Sequence, residues 1–211
     1  MTPSSPISGD ALSALQRLRQ RRPAEERCEL CALPLPERHA HLLEPKERRV
    51  LCSCDPCAFL FQDGNGRYRR IPRESYFLAS FVLGDLQWEA LAIPINLAFF
   101  FHSSPAGRVA AFYPSLAGAT ESLLDLQSWN RIAEAYPRLR QMQPDVEALL
   151  VNRLATPPEH YIVPVDRCYE LTGIVRRHWS GFTGGDDVWR EIARFFVTLR
   201  EEAIVEGVPR A

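Results

Sequence analysis

The sequence predicts an α+β fold in which a cysteine-rich N-terminal module packs on an antiparallel sheet covered by C-terminal helices. Three observations predict it. Five of the six cysteines fall between Arg27 and Phe61, interleaved with prolines. Short runs of aromatic and aliphatic residues, separated by turn residues, follow between Trp88 and Val165. Two stretches of helical period then close the chain, Asp166 to Trp179 and Asp186 to Ala203. With 211 residues, 46% hydrophobic and 24% charged, the chain can bury a core and has neither disordered nor fibrous composition.

Taken in order, residues 1–24 read as a polar tail and a short helix, with Asp10 as cap and Leu12, Leu15 and Leu18 as its stripe. Residues 25–75 form the cysteine module and 76–205 the α+β domain. In the second part, Trp88 to Ile93, Asn96 to Phe101 and Arg108 to Tyr113 read as strands. The last two make a hairpin over the Ser103 to Gly107 turn. Leu126 to Leu139 reads as one helix with Trp129, Ile132 and Ala133 inward, and Val146 to Val151 and Tyr161 to Val165 as strands. Asp166 is the expected cap of the first closing helix, whose Cys168, Leu171, Thr172, Val175 and Trp179 share a face. Asp186 or Asp187 is the expected cap of the second, with Val188, Ile192, Phe195, Leu199 and Ala203 inward.

Cys28-Glu29-Leu30-Cys31 and Cys54-Asp55-Pro56-Cys57 are two-residue-spaced pairs with 22 residues between them. Each pair can clamp one edge of a tetrahedron, and four thiolates at ~2.3 Å satisfy a zinc ion completely. The spacer holds a hairpin, with His39 to Leu43 and Arg48 to Cys52 as arms and Glu44 to Glu47 as the turn. The second pair opens a helix, with Asp55 as cap and Pro56 at a first-turn position. Cys28, Cys31, Cys54 and Cys57 are therefore the expected metal ligands, and knuckle, hairpin and ligand-bearing helix resemble the treble-clef class of zinc folds. Cys52 lies two residues before Cys54, on the same side of an extended strand, and could replace it as ligand; His39 and His41 could also enter the coordination sphere.

Other chemistries fit less well. HNH nucleases share the order of cysteine pairs and histidines, but the stretch after Cys57 reads Ala58-Phe59-Leu60-Phe61-Gln62-Asp63, without their Asn and His. Rubredoxins hold one iron with two such pairs, each followed closely by Gly; Cys31 and Cys57 are both followed by Ala. A rubredoxin-like mononuclear iron electron carrier is the alternative reading. Iron–sulfur clusters lack the knuckle-and-helix arrangement. Arg67, Arg69, Arg70 and Arg73 alternate around Tyr68 after the Asp63 to Gly66 turn, and a salt-bridged strand face explains them better than nucleic-acid binding, since 25 basic and 26 acidic residues leave a net charge of −1. Cys168 and His178 lie on different sides of their helix, His102 and His160 have no evident partner, and Trp179 to Gly185 reads as a helix–helix turn with left-handed glycines.

The segments Cys28 to Cys31, His41 to Leu43, Leu51 to Ala58, Tyr161 to Tyr169 and Trp179 to Trp189 are similar to those of a family of unknown function, encoded in actinobacterial-type nickel–iron hydrogenase gene clusters. The likeness spans about residues 25–205. It implies a cytoplasmic accessory role: assembly, maturation or association with a hydrogenase component. Residue patterns agree with that compartment. The first residues carry no apolar run of signal-peptide length, and the longest nearly apolar stretch, Ala90 to Phe101, is broken by Pro94 and Asn96. The resulting expectation is a zinc-stabilised, non-enzymatic protein that acts by binding another protein.

Overall fold

The computed structural model describes residues 26–62, 66–123, 125–181 and 183–206. The expected tail and helix before residue 25, Asp63 to Asn65 of the expected turn, and Phe182 lie outside them.

Ala40–Glu44 (β1) and Arg49–Ser53 (β2) form an antiparallel hairpin, and Arg69–Arg70 (β3) pairs with the free edge of β1. Helix α1, Asp55–Phe61, follows β2 directly. Cys54, not Asp55, takes the capping position, because its carbonyl already accepts the first helical bond from the Ala58 amide at 2.9 Å. Asp55 sits in the first turn, where its charge suits the helix N-terminus and meets Arg73 at 3.0 Å.

The second sheet is built from Tyr76–Phe77 (β4), Leu97–Ser103 (β5), Arg108–Ser115 (β6), Gly118–Ser122 (β7), Glu147–Asn152 (β8), Glu159–Pro164 (β9) and Ile204–Val205 (β10). Its strand order is β10-β4-β9-β8-β5-β6-β7, antiparallel except for the β10/β4 pair. The β5–β6 hairpin is where the turn residues place it. The sequence does not predict β4, β7 or β10: two are two residues long, and β7 is a polar edge strand.

Helices cover both faces of this sheet, where the sequence reading expects one. Val165–His178 (α5) and Gly185–Glu202 (α6) pack against Phe99, Phe101, Phe112, Leu150 and Val163. On the other face Asp85–Ala90 (α2), Leu126–Ala135 (α3) and Pro137–Arg140 (α4) cover Phe100, Ala111, Leu149 and Ile162. The sign is in the strands: β8 is buried at every position, and an unbroken apolar run rather than an alternation means a strand buried on two sides.

Trp88 to Ile93 is not a strand. The Gln87 side chain accepts a hydrogen bond from the Gly84 amide at 3.0 Å and starts α2, which turns Trp88 inward. The expected helix Leu126 to Leu139 is two, because Tyr136 leaves the helical conformation just before Pro137. Neither closing helix has its expected cap. Pro164 and Gly184 occupy those positions, and Asp166, Asp186 and Asp187 lie in the first turns. Of the expected inward faces, Cys168, Leu171, Thr172 and Val175 on α5, and Val188, Ile192, Phe195 and Leu199 on α6, are buried, while Trp179 and Ala203 stand just past the helix ends and are half-buried.

The two sheets are joined by burial and by charge. Leu43 and Ile71 enter the apolar cluster under α5 and α6. Arg69 reaches Asp145, whose side chain is 3% exposed, at 3.0 Å, and Arg48 lies 4.9 Å above the Phe112 ring. Among the described residues no helix is long and apolar enough to cross a membrane.

Candidate metal centre

The first cysteine pair is shaped by a tight knuckle. The Ala32 amide donates to the Cys28 carbonyl at 2.7 Å and the Cys28 amide to the Leu33 carbonyl at 2.8 Å, with Ala32 at φ 63°. This reversal directs the Cys28 and Cys31 sulfurs to one side. Cys54 ends the hairpin and Cys57 lies in the first turn of α1, so the second pair is held by the strand-to-helix junction. The Glu29 amide donates to the Cys52 carbonyl and its side chain accepts from the Cys52 amide, both at 2.9 Å, tying knuckle to strand.

The result is four sulfurs within 4.8 Å of one another, all as free thiols. Cys31 Sγ and Cys54 Sγ are 3.7 Å apart; a tetrahedral shell of thiolates at ~2.3 Å has edges of about 3.8 Å. The set can hold one metal ion.

Its electrostatics suit a cation. Burial pushes the Cys28 thiol up, but the amides of Cys54, Leu30 and Cys31 converge on the sulfur and bring it down to about 6. Cys57 is pushed far above its ordinary value by burial and then by the neighbouring Cys54, Cys31 and Cys28 thiols. Cys28 is thus the sulfur its surroundings favour as a thiolate, while four can ionise together only around a positive charge.

Residues 27–203 match the family model DUF5947, a family of unknown function. The chain belongs to that family. No curated protein and no solved structure matches it. In this DUF5947 chain, Cys52, His39 and His41 do not complete the four-sulfur set but gather as a second group, also within 4.8 Å of one another. The sequence marks these three as alternative ligands of one centre; in the fold Cys52 lies on β2 opposite His41, whereas Cys54 stands past the end of that strand at the start of α1.

The remaining singled-out residues are dispersed. The arginine cluster is salt-bridged: Arg67 to Glu44 at 3.0 Å, Arg69 to Asp145, and Arg70 and Arg73 to Asp55. Cys168 is fully buried, which raises its thiol well above the ordinary value, and His178 stands at the far end of the same helix. His160 packs 4.8 Å from the Phe81 ring, and burial with the nearby Arg153 charge lowers it to about 4. On either side of residue 182, Trp179 to Gly181 and Thr183 to Gly185 join the two helices as expected, with Gly181, Gly184 and Gly185 at positive φ.

Proposed function

We propose that Cys28, Cys31, Cys54 and Cys57 hold one zinc ion as a structural centre of the treble-clef type, and that the chain is an accessory protein acting by protein–protein contact. The observation that carries the reading is the convergence of four sulfurs in a module with little core of its own. Its separate apolar cluster is Ala40, Leu42, Leu51, Ala58 and Tyr68, too few to hold such a segment unaided. A structural zinc site contributes on the order of 10–16 kcal/mol of apparent binding free energy, as much as the net stability of a whole domain. Four thiolates leave such an ion no open position, which favours a structural over a catalytic role.

The contact reading is supported by α1. Cys54 and Cys57 anchor that helix, and it presents Phe59 and Leu60 at 67% and 70% exposure on the module surface. Two large apolar side chains fixed beside a metal knuckle suit an apolar partner surface. The partner implied by the family resemblance is a nickel–iron hydrogenase component, in a cytoplasmic assembly or maturation role.

The test is elemental analysis with an absorption spectrum on protein purified without added metal. Cys28→Ser and Cys57→Ser should each lose one zinc equivalent and the ordered structure of the module, seen as lost amide protection over residues 26–71. Unchanged metal content in both variants would overturn the structural centre, and the red absorption of a ferric thiolate would replace it with the iron electron carrier. For the partner, Phe59→Asp should abolish capture of a hydrogenase component from native cells; no capture by the parent chain removes that assignment.

A further inference from the structure

The geometry points to a second metal site, formed by His39 Nε2, His41 Nε2 and Cys52 Sγ, which binds a divalent ion of the zinc class with one position left for a ligand from solvent. It goes beyond the structural centre and shares no ligand with it. The hairpin builds it. His41 on β1 is the cross-strand partner of Cys52 on β2, which sets their side chains next to each other on one face. His39 precedes His41 by two residues and so shares that face.

The outer nitrogen of each ring is already engaged. His41 Nδ1 lies 2.6 Å from Asp166 Oδ2, and His39 Nδ1 lies 2.9 Å from the Pro36 carbonyl oxygen. Both oxygens are acceptors, so both Nδ1 atoms carry the hydrogen and donate. In the neutral rings the two Nε2 atoms then present lone pairs, and these face each other at 3.1 Å. Two lone pairs at that distance repel unless a cation stands between or beside them. Cys52 Sγ, within 4.8 Å of a ring nitrogen of each histidine, supplies the third donor; burial and then the nearby Glu26 and Glu29 carboxylates push its thiol up, so it would ionise on binding a cation.

Asp166 orients the ligand rather than binding the ion. One carboxylate oxygen takes His41 and the other accepts the Arg167 amide at 2.9 Å. A carboxylate behind a ligating histidine fixes its tautomer and raises its basicity, the arrangement common around protein zinc. This also accounts for the first-turn position of Asp166, which takes one first-turn amide of α5 and joins that helix to the module. Three protein ligands of nitrogen and sulfur type, with the fourth position open, is the pattern of zinc sites that exchange or activate a bound ligand. His39 and His41 line a cleft of about 600 Å³ between the module and α5, through which water or a small anion can reach the ion.

The test uses the full chain and metal alone. Purified protein, stripped and titrated with Co2+, should take up two equivalents in the parent chain. Cys52→Ser and the double variant His39→Ala/His41→Ala should each take up one, with the far-UV circular dichroism of the parent. In the parent, azide should shift the visible bands of the second equivalent, and in Cys52→Ser it should shift nothing. A parent chain that saturates at one equivalent, or a Cys52→Ser variant that still binds two and still responds to azide, would overturn the second site and leave a shared proton between the rings. Cys28→Ser, which unfolds the module, should lower uptake at both sites, so Cys52→Ser separates the two readings. A parent that binds one equivalent which Cys52→Ser retains leaves the structural centre standing and the second site fallen. Uptake lost in Cys52→Ser but kept in a folded Cys28→Ser leaves the second site standing and removes the structural centre.

Discussion

At the residue scale the knuckle shows how a local conformation is enforced against preference. Ala32 follows Cys31 where a metal knuckle needs a left-handed residue, and its φ of 63° costs an L-residue roughly 1–2 kcal/mol relative to glycine. Two short backbone bonds on either side of Ala32 hold it there. Ala32→Gly should therefore raise the stability of the module by about 1 kcal/mol, after allowance for glycine's greater freedom in the unfolded chain. Denaturant titration of the metal-loaded protein measures it, and a lower midpoint for the glycine variant would contradict the argument. The absence of Gly after Cys31 counts against a rubredoxin-like knuckle when read from sequence; in three dimensions the backbone takes the glycine conformation with an alanine.

At the scale of elements, what could be read in advance depended on how local the signal was. The inward faces of α5 and α6 follow from their 3.6-residue period and are as expected, but their caps are not, because a proline and a left-handed glycine set the entry into each helix. The turn of the β1–β2 hairpin falls one residue later than its sequence suggests, over Pro45 to Arg48. This moves the pairing by two residues, so that His41 rather than His39 faces Cys52. A two-residue shift keeps every side chain on its face, which is why the predicted hairpin still brings the right residues together. Gly184, at φ 93°, opens α6 where an added Cβ would stand 2.9 Å from Val188 Cγ1 and 3.3 Å from the Trp179 ring. Gly184→Ala should cost about 2 kcal/mol from combined strain and overlap. Thermal unfolding followed at 222 nm reads this, and a variant as stable as the parent would show that the turn relaxes freely.

At the scale of the whole molecule the module and the sheet are held together by apolar contact through Leu43 and Ile71 and by an ion pair on a buried carboxylate. Asp145 accepts from the Ser104 amide at 2.7 Å and from its hydroxyl at 2.6 Å, and Arg69 of β3 is the cation that pairs with it at 3.0 Å. Arg69→Ala leaves a buried carboxylate without its counter-charge and should cost about 2 kcal/mol, discounted for the half-exposed guanidinium. Because the pair links the two sheets, amide protection of β1 and β3 should fall more than that of β5 and β8, and Asp145→Asn should recover part of the loss in the double variant. Uniform loss across both sheets would mean that the pair stabilises the sheet alone.

By itself the sequence determined the two cysteine pairs, the hairpin between them, the helix that carries the second pair and the buried faces of α5 and α6. These depend on spacing along a few turns or strands, and chain geometry transmits such spacing directly into side-chain position. Tertiary structure alone decided that both faces of the large sheet are covered, that Arg69 crosses to Asp145, and that His41 meets Asp166 across 125 residues of chain. Contacts of that kind are set by how whole layers pack to bury their apolar faces, and no local pattern of residues encodes which distant partner the packing delivers.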